Sequence, residues 1–137
     1  MLKERVTKYE DSNESIYTIV TEIEFVNSNN CCPEPYGWIN IYQEEVATTI
    51  WTQPNEGVNT PKASRLITKT DIISNSIPNQ LCFSGNVKEY SYWGGEDILV
   101  DPNKQTCGMA NKLVKLRGIN KDIYVSLRYQ IQLKDVL

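Results

Sequence analysis

Apolar and polar residues alternate with a period of two along much of this chain, most clearly near its end. From 123 to 133 every odd position is apolar or aromatic (Ile123, Val125, Leu127, Tyr129, Ile131, Leu133), and the even positions are Tyr124, Ser126, Arg128, Gln130 and Gln132. Successive side chains of a strand point to opposite faces, so this pattern predicts a strand with one buried face. Fully buried, each such side chain contributes roughly 1.5–3 kcal/mol. A slip of one residue would expose them all, so the register is expected to be firmly set. A second segment has the same character: Tyr17, Ile19, Ile23 and Phe25 share one face, and Thr18, Glu22 and Glu24 the other.

Between these two lie shorter candidates at 38–43, 46–52, 65–73, 80–84, 87–93, 98–100 and 112–119. They are rich in Val, Ile, Thr and Tyr, which suit a pleated, half-buried surface. Gly, Pro and Asn clusters interrupt them at 27–35, 54–61, 75–79, 94–95 and 101–108. The Asn120-Lys121-Asp122 step after Gly118 predicts a hairpin turn between the last two strands. No segment sustains a helical period. Many short strands with frequent turn signals predict an all-β fold, an antiparallel β-sandwich or jelly-roll-like domain. The expected organisation is an N-terminal arm over residues 1–15, poised to dock on a neighbouring subunit, and a single β-sandwich domain over 16–137.

Composition narrows the function. The chain of 137 residues is 40% hydrophobic and 23% charged, ordinary values for one globular domain. Its net charge of −3 and pI near 5.0 argue against a nucleic-acid binder, which would carry a basic stripe. No run approaches the ~20 apolar residues needed to span a bilayer. The first residues lack the apolar core of a secretory signal, so synthesis in the cytoplasm is expected, with a released particle or surface structure as one destination.

There is no histidine. That removes hydrolases of the Ser-His-Asp and Cys-His kinds and most zinc sites. Gly-x-Gly-x-x-Gly, phosphate-loop and Gly-x-Ser-x-Gly motifs are absent too. No enzymatic activity, cofactor or metal is expected.

Three groups of residues remain as candidates. Cys31 and Cys32 are adjacent and precede Pro33, on a segment that proline keeps extended. Neighbouring cysteines do not easily bond to each other. As a tether they would reach two different partners, Cys82 and Cys107 of this chain or of a copy. The alternative is buried free thiols, which suits Cys82 between Leu81 and Phe83. The second group is Tyr90, Tyr92 and Trp93 beside Gly94-Gly95, joined by Trp38 and Trp51 as aromatics for an interface or a sugar platform. The third is acidic: Glu44-Glu45, Glu96-Asp97 and Asp101. A glycosidase would need two of these brought to a fixed separation. With Asn103, the later ones lack the spacing of an EF-hand calcium loop, so a solvated loop is the expectation.

Finally, Lys112, Lys115, Arg117, Lys121, Arg128 and Lys134 make the C-terminal quarter basic, against Glu22, Glu24, Glu34, Glu44 and Glu45 earlier. An acidic and a basic edge would suit head-to-tail contacts between copies. The expected function is therefore a non-enzymatic structural or accessory subunit of a larger assembly, as in a phage or viral virion or a surface or spore filament. It would work through contacts with copies of itself or other subunits. A carbohydrate-binding, lectin-like β-sandwich module is the alternative.

Overall fold

The structure is a computed structural model and describes residues 14–28, 32–43, 45–90 and 97–137. Among these, nine strands follow in order: β1 (Ser15–Asn27), β2 (Pro35–Gln43), β3 (Val46–Gln53), β4 (Arg65–Ser74), β5 (Gln80–Glu89), β6 (Asp97–Val100), β7 (Thr106–Met109), β8 (Val114–Arg117) and β9 (Ile123–Val136). A single turn of 3-10 helix, Gly57–Asn59, lies in the β3–β4 connection. The strands form two antiparallel sheets. Sheet A has the order β4-β1-β9-β8, and sheet B has the order β3-β2-β5-β6, with β7 also on β5. The fold is an all-β sandwich, as the alternation requires.

The two long alternating segments become β1 and β9, paired side by side from Asn27 opposite Ile123 to Ser15 opposite Val136. Their inner faces supply Ile19, Ile23, Phe25, Val125, Leu127 and Tyr129 to the core. Sheet B answers with Ile39, Ile41, Leu81, Phe83, Val87 and Leu99. The Phe83 and Tyr129 rings meet across the sandwich with centroids 5.4 Å apart.

Three elements differ from the sequence expectation. Segments 80–84 and 87–93 are not two strands: β5 runs unbroken from Gln80 to Glu89 through Gly85. Glycine is needed there, because a Cβ would come within 2.7 Å of the Trp38 carbonyl oxygen on β2. The stretch expected as a loop at 101–108 contains β7. Strand β6 pairs with Val87–Glu89 and β7 with Gln80–Phe83, so the two lie along one edge of β5 as a single strand interrupted by residues 101–105. Lastly, Leu133 keeps the inward phase of β9 but is 60% exposed, because it lies near the end of the strand, beyond the covered core.

Candidate interaction surfaces

The cysteines correct the sequence reading. Cys82 of β5 and Cys107 of β7 are opposite in register and form a disulfide. Cys82 is therefore neither a free thiol nor a partner for Cys31 or Cys32. Its neighbours Leu81 and Phe83 point into the core, which turns Cys82 outward toward the edge that β7 occupies. With β7 read as a loop, nothing in the sequence placed Cys107 across from it. Cys32 is exposed, and Cys31 lies outside the described residues.

The aromatic candidates separate. Tyr92 and Trp93, with Glu96, lie outside the described residues, as do residues 1–13 of the expected arm. Tyr90 is half-buried just beyond β5, and its N–H donates to the Glu34 carbonyl at 3.2 Å. Trp51 is turned to the core. Ile39 faces Trp51 while Asn40 faces Thr49, so Ile50 is an extra residue in β3. Such a bulge resets the alternation. Ile50 is buried, and Trp51 packs on Phe25 at 4.9 Å. Of the three tryptophans, Trp38 alone is placed by the described strands on a solvent face.

That face is unusual in its chemistry. The outward positions of β2 are Trp38, Asn40 and Tyr42, and beside them stand Thr52, Thr49 and Ala47 of β3. On the other side stand Asn86, Ser84 and Cys82 of β5. None of these is charged; the next outward pair along the two strands, Tyr36 and Lys88, brings a charge at the end of the face. Two hydroxyls are fixed: Thr49 donates to Asn40 Oδ1 at 2.8 Å and Thr52 to the Gly37 carbonyl at 3.0 Å. Against the end of this face, Asn86, Lys88, Ile98, Asp101, Pro102 and Ile119 line a groove of about 270 Å³.

The outer face of sheet A is the opposite. Glu22 is opposite Arg128, Glu24 is 3.2 Å from Arg65, and Lys134 is paired with Asp71, which also accepts from Thr18 at 2.8 Å. Lys115 and Arg117 of β8 stand over the Tyr124 ring at 4.9 and 5.9 Å. Placing β9 beside β1 interleaves the acidic N-terminal third with the basic C-terminal quarter. The charges of β1, β4 and β9 are therefore mixed on this face rather than divided into the acidic and basic edges that would suit head-to-tail contacts.

The acidic residues are brought together in a way the sequence did not signal. Glu89 and Asp97 are cross-strand partners, and the Asn27 side-chain N–H group donates to both, at 3.1 Å to Asp97. Glu89 is 1% exposed, so it cannot reach a glycosidic bond. Its burial follows from its odd position in β5, in phase with Leu81, Phe83 and Val87, a pattern visible only once β5 is read as one strand. Asp101 caps its own turn, accepting from the Asn103 amide at 2.9 Å. Glu44 lies outside the described residues, and Glu45 sits in the β2–β3 turn at φ 70°. Among the described residues no three of His, Cys, Asp and Glu gather as a metal site.

A second surface lies at one end of the sandwich, where β1 begins, β4 and β9 end, and β2 turns into β3. Ile73, Val136 and Val46 are 57%, 64% and 64% exposed there, with Leu133 and Leu137 also exposed. Ser15 faces both Ser74 and Val136, Ile16 faces Ile73, and the Leu137 amide donates to the Glu14 carbonyl at 3.0 Å. Between the edge strands β3 and β4, this end opens into a cleft of about 490 Å³ lined by Glu14, Ile41, Gln43, Val46, Ile72 and Ile73, among others. Neighbouring exposed apolar side chains of this kind mark protein interaction sites.

No family model and no curated protein matches the chain. It is similar to a chain in the crystal structure of the Cry23Aa1 and Cry37Aa1 binary protein complex, at 33% identity and a TM-score of 0.76 over 86% of this chain and 98% of that one.

Proposed function

The chain belongs to the family of that matched component of the Cry23Aa1 and Cry37Aa1 binary protein complex, and from this premise we propose that it is a non-enzymatic subunit of a complex of two different proteins. The observation that carries the reading is the apolar end of the sandwich. Ile73, Val136, Val46, Leu133 and Leu137 are exposed beside a cleft between two edge strands. Burying such side chains against a partner is the main favourable term in association. Edge strands offer unpaired backbone groups that a partner strand can use. The lack of histidine in the sequence supports the non-enzymatic part of the reading.

Self-assembly into a virion component or filament is the finer form of the same idea, in which the partner is a copy. Light scattering separates the two. The chain is measured alone and mixed with each of the two proteins of the matched complex. A species of 15.7 kDa alone, and a heteromeric species with one of the two proteins, is the expected result. High-order species of the chain alone would replace this reading with self-assembly. A monomer that binds neither protein would overturn it.

A further inference from the structure

We propose that the outer face of sheet B carries a sugar-binding site, centred on Trp38 and the groove beside it, that accepts a neutral hexose residue of a glycan. This site is separate from the apolar end and does not depend on the two-protein reading.

The face is marked by what it lacks. Its central outward positions hold no charge and no large aliphatic residue, in a protein that is 23% charged. A protein partner's hot spot is enriched in Arg as well as Trp and Tyr, and no Arg stands among these positions. A sugar ring has different needs: an apolar C–H face against which a ring can stack, and hydroxyls that both donate and accept. Trp38 is half-buried, so its ring is held while part of it stays open to solvent. Its direct cross-strand neighbour is Asn86. Opposed residues of paired strands have Cβ atoms roughly 5 Å apart, close enough for both to contact one ring.

Asn86 gives the second, independent observation. Its side-chain Oδ1 is enclosed and has no hydrogen-bond partner among the described residues. Buried acceptors are nearly always paired, and an orphan costs free energy. Asn86 lines the groove, so a turn of its side chain toward the groove would let a hydroxyl entering there pair with this acceptor. The groove walls offer a sugar both of its characters: Ile98, Pro102 and Ile119 are apolar, Asn86 is polar, and Lys88 and Asp101 add a charged donor and a charged acceptor for hydroxyls. At about 270 Å³ it falls below the range of drug-sized pockets, which fits one ring rather than a larger ligand. On the other side of Trp38, the bond from Thr49 fixes the Asn40 amide so that its N–H groups are left to donate. A preset amide loses less freedom on binding.

The test is a titration of the ¹⁵N-labelled full chain with free glucose, galactose, mannose and N-acetylglucosamine, each as a separate probe. Saturable amide shifts confined to strands β2 and β5 and residues 98–102 are expected with at least one sugar. Trp38→Ala should raise the half-saturating concentration by about tenfold or more. Ile119 is 89% exposed, so Ile119→Asp leaves the fold intact and should weaken binding through the groove alone. No saturable shift with any of the four sugars overturns the proposal. So do shifts centred elsewhere, or binding that both variants leave unchanged. If no sugar binds but Trp38→Ala abolishes a two-protein complex, the face is a protein interface and the glycan proposal fails.

Discussion

Tyr129 reaches from sheet A to the backbone of sheet B, where its hydroxyl accepts from the Leu81 amide at 3.1 Å. The same hydroxyl donates to the Gly108 carbonyl, and Leu81 and Gly108 are register partners on β5 and β7. One side chain thus spans the core and joins both strands that the disulfide also links. Tyr129→Phe keeps the ring but leaves an enclosed amide and a carbonyl without this partner. Unpaired buried groups cost about 1–3 kcal/mol, so a loss of about 2 kcal/mol in urea unfolding is expected. A loss below a few tenths would mean that the bonds contribute nothing net.

The same hydroxyl sets a limit at high pH. Burial holds the Tyr129 pKa above its ordinary value of 10.0, against a smaller opposite effect of the Leu81 amide. The unfolded chain therefore loses this proton first. The contribution to stability is complete below pH 10.0 and is lost as pH rises through the folded value. Wild-type stability should fall above that pH, and Tyr129→Phe should flatten the fall. Equal slopes for the two proteins would show that other groups control it.

The Cys82–Cys107 disulfide closes a sequence separation of 25 residues. A cross-link over such a loop stabilises by about 3 kcal/mol in the chain-entropy description. Double substitution to serine, measured by chemical denaturation without reductant, should lower stability by about that amount while leaving the circular dichroism of the fold unchanged. An equal midpoint for both proteins would refute the expected contribution.

Gly37 adopts φ +124°, and a Cβ there would lie 1.8 Å from the Asn86 carbonyl oxygen. Neither the dihedral nor the contact tolerates a side chain. Gly37→Ala should cost at least about 2 kcal/mol. Because the clash is with β5, it should also displace Asn86, visible as amide shifts on both strands. A variant as stable as wild type would show that the β2–β5 pair gives way freely.

If the apolar end is the partner surface, removing it should leave the fold alone. Ile73→Ser with Val136→Ser changes two side chains that are 57% and 64% exposed, so the melting temperature should hardly move. Affinity for the partner protein should fall by about tenfold or more, measured by calorimetry. Unchanged affinity would move the interface elsewhere on the sandwich.

These predictions rest on relationships of unequal visibility in the sequence. The faces of β1 and β9 follow directly from alternation, because each strand is covered on one side. Alternation also carried the sandwich class. It failed where the backbone departs from regularity. The bulge at Ile50 turned Trp51 inward, and no side-chain pattern announces a bulge. β7 was hidden because it is short and contains Gly108, whose missing side chain leaves room for Val114, 2.3 Å from where its Cβ would be. Without β7, the partner of Cys82 and the anchor of Tyr129 were both out of sight. The Trp38 face needed the register of three strands before its neutrality appeared. Glu89 was overlooked because the strand expected at 87–93 held it among polar and aromatic residues, and its phase with Leu81 and Phe83 shows only when β5 is read as one strand.

The pairing of β1 with β9 also has a consequence in time. Asn27 waits for Ile123 and Ser15 for Val136, so one edge of β1 stays unpaired on the ribosome until more than ninety further residues have been made. Sheet B can zip up earlier from its own hairpin of β2 and β3. Sheet A depends on contacts of high sequence separation, which slow folding. The nascent chain therefore carries an open, apolar strand edge through most of its synthesis. Residues 15–27 are thus the part of the sandwich whose pairing is completed last.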